Sequence, residues 1–459
     1  MKTIHRNLFA MMVALLGVAP MAVAQEPAAR SAASPVTITY EEAIGIALRQ
    51  NLAVRRAENA TALQAAGVKQ QQGQFLPTLR LSAQGSGSTG RTFSEAEGRI
   101  VDETTKSLNA GISSSVTLFD GFRNVANLKS AKLGEEASEY ELERARQTAV
   151  MTVASNFLGV IEGEEQVRVR REALAAQEAE LKQVEAMVEA GSRPIADLYQ
   201  QQANVASARA ALVEAERTLE AASLELISTL QLDPAGEYRF QAPSLESSAV
   251  GGGSLDEPLD ALIERALQRR VDLQALAARE AAAAQGVRAA AAGRYPTVSL
   301  SAGYNTGASS TSPLSLSEQL DQRRGGYLTL GVSIPLFDGF QVSAETERAR
   351  TQLDNARLDL QERRQQVALE VRRARSDLAA AQERLEAAEA QLAAAELALE
   401  ATTERYRVGA ANLLEVTQAR TTQVEAASAV VNARYNLLLQ RTLVDYYVGE
   451  LEARVAAGS

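Results

Sequence analysis

The sequence predicts a mainly α-helical protein with a transmembrane β part, built from two tandem copies of one unit: a helix, two strands and a long helical hairpin. Three observations lead to this prediction. An ordered set of motifs occurs twice, alternating apolar residues follow a proline in each copy, and apolar residues then recur every seven positions over long stretches. Alternation is typical of strands, and a seven-residue period is typical of helices that pack side by side.

The first 24 residues have the pattern of a secretory signal peptide. Lys2 and Arg6 precede an apolar run at residues 8–19, and the small-x-small tripeptide that ends at Ala24 precedes Gln25. A single-pass anchor is the alternative, but the run is short for a bilayer span. We therefore expect cleavage after Ala24 and export of the mature chain.

The composition excludes most catalytic chemistry. The chain has no cysteine, and its single histidine, His5, lies in the predicted signal peptide. This removes histidine-based triads, thiol nucleophiles and most zinc, copper and haem sites. We therefore predict no enzyme activity, no cofactor and no metal site. The net charge of −10 argues against nucleic acid as a partner.

The duplication is visible in two motifs and their spacing. The pentapeptide LFDGF begins at Leu118 and again at Leu336, and the spacing from Gly121 to Gly191 equals that from Gly339 to Gly409. The period of about 218 residues is far too long for a solenoid, so each copy is a whole structural unit. The predicted units are residues 25–232 and 259–459, joined by a proline- and glycine-rich linker at 233–258.

Each copy begins with a helix that ends before a proline, at about 40–74 and about 259–293. Alternation then predicts two strands per copy, and one face of each strand is apolar while the other carries Ser, Thr, Asn and Gly. The predicted strands are about 78–87, 107–118, 297–306 and 327–336. A polar glycine-rich loop follows the first of them.

These strands fit two structures. One is a lipid-facing barrel wall, and the other is a soluble hairpin with one face on a core. The predicted signal peptide and the duplication favour the barrel wall. Four strands cannot close a barrel in lipid, so the chain must oligomerise: a dimer supplies eight strands and a trimer supplies twelve.

Long hairpins complete both copies, at about 122–231 and about 340–448, with turns at Gly191 and Gly409. The seven-residue seam of the first long helix is Val160, Val167, Leu174, Leu181 and Val188. Such a helix of nearly 70 residues is about 100 Å long.

The order of these elements resembles the TolC family of outer-membrane efflux and secretion ducts. The family pattern is a signal peptide, two copies of helix, strand, strand and hairpin, an L-F-D-G junction in each copy, and a Tyr-x-Val-Gly motif at the second tip, here Tyr406 to Gly409. The resemblance implies a homotrimer with a 12-stranded β-barrel in the outer membrane lipid and an α-helical tunnel in the periplasm. It also implies a periplasmic adaptor and an inner-membrane pump of RND or ABC type as partners.

The resemblance further implies a constriction at the hairpin tips. Its candidates here are Asp197, Glu415, Gln418 and Tyr406. The chain departs from the family pattern twice, because Gln418 replaces an aspartate and Ala411 stands at a gating arginine position. The alternative is that the two acids only suit the positive end of a helix.

Two further sets of residues follow from the same topology. Residues expected to contact the adaptor are Gly191, Ser192, Arg193, Val408, Gly409 and Ala410. Aromatic residues expected at the membrane boundary are Phe75, Phe119, Tyr295 and Phe337. For Phe122 and Phe340, packing in the core of the strand–helix junction is an equal alternative.

The predicted function is an outer-membrane exit duct that conducts substrates passively from an adaptor and an inner-membrane transporter to the outside. A periplasmic adaptor and a structural coiled-coil protein of the envelope are the alternatives. Adaptors have a single hairpin, and a coiled-coil protein has no need of paired alternating strands at matching positions of two copies.

Overall fold

The computed structural model describes residues 36–94, 98–241 and 257–451. The predicted signal peptide and most of the predicted linker lie outside the described residues. The first half of the chain forms β1 (Val36–Thr39), α1 (Tyr40–Gln50), α2 (Leu52–Gly73), β2 (Thr78–Ser94), β3 (Arg99–Phe119), α3 (Arg123–Glu189) and α4 (Ile195–Leu230). The second half forms β4 (Tyr238–Gln241), α5 (Leu259–Arg269), α6 (Val271–Ala291), β5 (Thr297–Ser309), α7 (Leu316–Gln322), β6 (Gly325–Ser333), α8 (Gln341–Arg407) and α9 (Leu413–Val448).

Two helices of 67 residues, α3 and α8, form the frame of the molecule. Each is about 100 Å long at about 1.5 Å per residue. Near the hairpin turns the helices lie side by side in the order α4, α3, α9, α8, and near the strands the order is α2, α3, α6, α8. The helices therefore form a wall four columns wide. Among the described residues, no helix combines the length and apolar character needed to cross a membrane.

Each helix before the strands is broken, although the sequence predicted continuous helices. Asn51 separates α1 from α2, and its side chain accepts hydrogen bonds from the backbone N–H groups of Ala53 (2.8 Å) and Val54 (3.4 Å). Arg270 separates α5 from α6 at the corresponding place in the second copy. Both residues have extended backbone. The Asn51 side chain caps α2, whereas the Arg270 side chain makes no capping hydrogen bond and donates to Asp272 instead.

The predicted linker contains a strand. β4 pairs in parallel with β1, with Ile38 opposite Phe240. Both side chains are buried in a core that includes Tyr40 and Phe157, and the Phe157 and Phe240 rings meet edge to face at 6.0 Å. Two strands of four residues carry too little alternation to stand out in the sequence, so the prediction missed them.

The larger sheet is antiparallel, in the order β2, β3, β5, β6. One row across it joins Leu79, Ser114, Ala302 and Leu328, and the next row on the other face joins Thr78, Ser115, Ser301 and Thr329. Opposed residues in an antiparallel sheet point to the same side, so one face is mainly apolar and the other is lined by hydroxyls. Among the described residues, each of the outer strands β2 and β6 has one edge without a partner strand.

Several strand ends differ from the prediction, and β3 begins at Arg99 where a start at about 107 was expected. β2 continues to Ser94, and the glycine-rich segment from Gly85 pairs with β3 instead of forming a loop. Conversely, β6 ends at Ser333 because its partner strand begins at Thr297 and the nearby Pro335 has no N–H to donate. A bulge at Leu118 puts Phe119 opposite Val298.

The LFDGF motif makes the passage from sheet to long helix. Asp120 and Asp338 cap the helices, because their Oδ2 atoms accept from the backbone N–H of Asn124 (2.9 Å) and Val342 (2.8 Å). The glycine and phenylalanine after each aspartate have positive φ, which is +66° at Phe122 and +67° at Phe340. A left-handed aromatic residue costs about 1–3 kcal/mol, so the turn is held by its surroundings.

Candidate functional site

The turns of the two hairpins lie beside each other at the end of the helical wall. Gly191 and Gly409 take positive φ after α3 and α8. The next N–H groups bond back into the helices, from Ser192 to the Met187 carbonyl (2.9 Å) and from Ala410 to the Arg405 carbonyl (2.7 Å). Glycine adopts this conformation without a Cβ clash, and both helices therefore end in a compact turn.

Tyr406 is the centre of the contact between the tips. It is only 5% exposed and packs with Ala411, Leu413 and Val416 of its own hairpin. Its hydroxyl donates to Oδ2 of Asp197, on the other hairpin, at 3.4 Å. The structure thus brings together two of the predicted constriction residues.

Arg193 joins the same contact from the first hairpin. Its guanidinium lies 4.1 Å from the centre of the Tyr406 ring, and Nη2 donates to the Tyr406 carbonyl oxygen at 2.5 Å. Burial raises the pKa of the Tyr406 hydroxyl, the Arg193 charge opposes this, and the Asp197 charge and hydrogen bond add to the rise. The phenol therefore stays neutral and remains a donor toward Asp197 at neutral pH.

The second predicted acid is held differently. Glu415 forms a capping box with Asn412, in which the Glu415 N–H donates to Asn412 Oδ1 at 3.0 Å and the Asn412 N–H donates to Glu415 Oε1 at 3.3 Å. Arg405 lies 3.5 Å from its other oxygen. Glu415 is thus tied to its own hairpin, while Gln418 is exposed nearly one turn further along α9.

Two polar links above the tips also join the hairpins, and the sequence prediction missed them. Arg420 of α9 forms a well-covered ion pair with Glu180 of α3 at 3.2 Å. Asn204 of α4 donates to the Thr417 hydroxyl at 3.0 Å. These residues lie beside the apolar seams, where polar side chains ordinarily face water, so nothing in the sequence singled them out.

The expected adaptor contacts divide into two groups. Five are exposed in the tip turns: Gly191, Ser192, Val408, Gly409 and Ala410. Arg193 is half-buried because its head group is engaged by Tyr406.

The aromatic residues of the junction are arranged in pairs. Phe119 meets Phe122 and Phe337 meets Phe340, edge to face, at 5.4 and 5.8 Å. Phe122 is 68% and Phe340 74% exposed, so neither packs in a junction core within one chain. Phe75 and Tyr295 are also exposed at this level.

Comparison with known proteins gives a consistent result. The family model described as outer membrane efflux protein matches residues 43–230 and 262–450. The chain is 25% identical to the outer membrane protein TolC of Vibrio cholerae over 77% of each chain. It is 27% identical to the pyoverdine export outer membrane protein OpmQ of Pseudomonas aeruginosa, over 74% of this chain and 70% of that one.

Solved structures share the fold. CusC superposes with a TM-score of 0.78 at 20% identity, covering 89% of this chain and 92% of that one. VceC of Vibrio cholerae gives 0.74 at 19% identity, covering 89% and 96%.

Proposed function

The chain belongs to the outer membrane efflux protein family, and from this premise we propose that it is the outer-membrane exit duct of a tripartite efflux or secretion system. The main support is a single observation. A sheet with an apolar outer face and two open edges continues directly into helices of about 100 Å. The sheet would lie in the outer membrane and the helices in the periplasm, and substrates would pass through without chemical change.

The height of the apolar face suits an outer membrane. On β5 it extends from Val298 to Ala308, which is about 34 Å of strand at about 3.4 Å per residue. A tilt of about 45° reduces this to a band of about 24 Å, close to the band of about 25 Å in outer-membrane barrels. The aromatic pairs at the LFDGF junctions would then lie at the periplasmic boundary.

We propose a homotrimer, as in the family that the chain resembles, and we include the two-unit division of the chain in the proposal. The two open edges of the sheet support an assembly of several chains. Within one chain β3 of the first unit pairs with β5 of the second. If β6 pairs in the same way with β2 of the next chain, the sheet closes without edges. A side chain at Gly121 would meet the Ala292 carbonyl at 2.7 Å, whereas the space at Gly339 is open within the chain and would be filled by the neighbour.

A cross-linking experiment tests this closure. Ser114 of β3 lies opposite Ala302 of β5, and the equivalent positions in the other unit are Val332 of β6 and Ala83 of β2. If β6 and the next chain's β2 pair in the same register, Val332 of one chain lies opposite Ala83 of the next. In this cysteine-free protein, Val332→Cys with Ala83→Cys should therefore give oxidised dimers and trimers on denaturing gels. Val332→Cys with Gln84→Cys is the matched control, because a shift of one residue points the second thiol to the other face. Monomers alone from the first pair would contradict the closed barrel.

The partners are proposed on the family relationship. The relatives include the pyoverdine export outer membrane protein OpmQ of Pseudomonas aeruginosa and the outer membrane efflux protein BepC of Brucella suis, so both export and efflux proteins are represented. We infer that the exposed tip turns bind a periplasmic adaptor coupled to an inner-membrane pump of RND or ABC type. Co-purification of the trimer with the adaptor encoded beside the pump gene, and its loss on substitution of the exposed tip residues, tests this assignment.

The tip acids are proposed to make the duct cation-selective. In a trimer, Asp197 and Glu415 would place six carboxylates at the narrow end, and acid rings attract cations. We expect Asp197→Asn with Glu415→Gln to weaken cation selectivity and block by trivalent cations in planar bilayers. Because Arg405 neutralises part of the Glu415 charge, Asp197→Asn alone should have the larger share of the effect. Unchanged selectivity in the double variant would mean that the two acids only suit the positive ends of α4 and α9.

A further inference from the structure

The two hairpin tips are unequal, although they occupy equivalent places in the two units. Tyr406 corresponds to Val188, and Arg193 corresponds to Ala411. The second tip therefore supplies an aromatic ring, and the first tip supplies a guanidinium group. This complementarity exists only between the two tips, since neither hairpin carries both groups at these positions.

Arg193 makes two contacts on Tyr406 that do not depend on the phenol hydroxyl. The guanidinium covers the ring face at 4.1 Å, and it donates to the Tyr406 carbonyl at 2.5 Å. That carbonyl belongs to the last turn of α8 and also accepts from the Gly409 N–H at 3.0 Å, so the guanidinium is its second, charged donor. Arg193 therefore caps the end of the second hairpin from the first hairpin, and its positive charge suits the negative end of the helix.

These contacts oppose separation of the tips. If α8 and α9 move away from α3 and α4, the Tyr406 ring loses the guanidinium that covers it, and the Tyr406 carbonyl keeps only the Gly409 N–H as a donor. The Asp197–Tyr406 bond is longer, at 3.4 Å, and resists the same movement less. The pair Glu180–Arg420 lies further up the helices and can act as a pivot for the tips.

We propose that Arg193 is the positioning residue that holds the narrow end of the duct closed, by clamping Tyr406 of the second hairpin to the first. The clamp acts inside one chain, so each of three chains would have its own. This inference rests on the proposed duct function and adds to it the residue that sets the balance between closed and open tips.

Single-channel recording in planar bilayers tests the clamp. Arg193→Ala removes both contacts and should raise the occupancy of the high-conductance state by about tenfold, given the usual strength of a cation–π contact with a hydrogen bond. Arg193→Lys keeps the charge but loses the planar stacking group, so an intermediate rise is expected. Lys182→Ala, which removes a positive charge at an exposed position of α3 outside the tip turns, should leave the occupancy of the high-conductance state unchanged.

The possible outcomes distinguish a failure of the proposed clamp from a failure of the proposed duct function. Trimer yield and heat-modifiable mobility should match the wild type in all three variants, which shows that any change in conductance is not a folding defect. If the wild type forms no channel, the duct function fails. If the wild type conducts and Arg193→Ala conducts identically, the clamp is overturned. A variant that loses only adaptor binding, with unchanged conductance, overturns it too and leaves Arg193 as a docking residue.

Discussion

Leu328→Arg is expected to abolish assembly of the protein in the outer membrane, whereas Thr329→Arg should assemble nearly as well as the wild type. Leu328 is 73% exposed and lies in the middle of the apolar face, in one row with Ala302 and Leu79. A charge at the bilayer midplane costs about 2–4 kcal/mol per chain, hence roughly 6–12 kcal/mol per trimer. Thr329 lies opposite Ser301 on the hydroxyl-lined face, where water would solvate the arginine.

The measurement is the amount of heat-modifiable trimer in outer-membrane fractions, compared at equal expression. Val332→Arg and Ser333→Arg form a second pair at the end of β6, where a charge lies nearer the interface and costs less. We therefore expect the same direction with a smaller difference. Equal loss for both members of each pair would mean that the two faces have no distinct environments, and the barrel assignment would fail.

The sequence was informative where a pattern repeats over many residues. Strand alternation predicted that each strand has one apolar face, which includes Leu79 on β2 and Leu328 on β6, and the seven-residue seam predicted long helices such as α3. Both patterns involve residues that are close together in the sequence, and each pattern occurs twice because the unit is duplicated. The family relationship supports the overall arrangement.

Features that depend on one contact between distant residues were beyond prediction. Asp197 and Tyr406 were both expected at the constriction, but the hydrogen bond between these two residues, which are remote in sequence, was not predicted. Arg193 was expected to face an adaptor, yet it lies against the same tyrosine. Such contacts depend on how two hairpins pack, and no periodicity encodes them. The β1–β4 pair was missed because four residues are too few to show alternation.

The ion-pair network around Arg270 is another feature that depends on contacts between residues distant in the sequence. Arg270 is 1% exposed and forms a two-pronged contact with Asp272, at 2.9 and 2.7 Å, and a further ion pair with Glu370. Arg363 of α8 bridges the same two acids, at 2.8 Å to Asp272 and 3.0 Å to Glu370. The four side chains fasten the break between α5 and α6 to the long helix α8.

Arg270→Met is expected to destabilise the folded chain by about 3 kcal/mol, because it leaves two partly buried carboxylates with one arginine between them. The matched control is Arg217→Met, which breaks the exposed pair with Glu214 and should change stability little. The measurement is the unfolding midpoint of the detergent-solubilised trimer, followed by loss of helical circular dichroism. Equal midpoints for the two variants would contradict a supporting role for the buried network.

The pH dependence of stability provides an independent test of the same network. Burial by itself raises the pKa of Asp272, but the hydrogen bonds and charges of Arg270, Arg363 and Arg144 outweigh it and lower the pKa from 3.8 to about 2. A lowered pKa means that the folded state favours the ionised form, so the stabilisation is complete above pH 3.8 and is lost as the pH falls through about 2. The difference corresponds to about 2 kcal/mol. We therefore expect the wild type to lose stability between about pH 4 and pH 2, and Asp272→Asn to be less stable at neutral pH but to lose less over that interval. If the two proteins lose stability in parallel as the pH falls, Asp272 is not the group whose ionisation holds the break to α8.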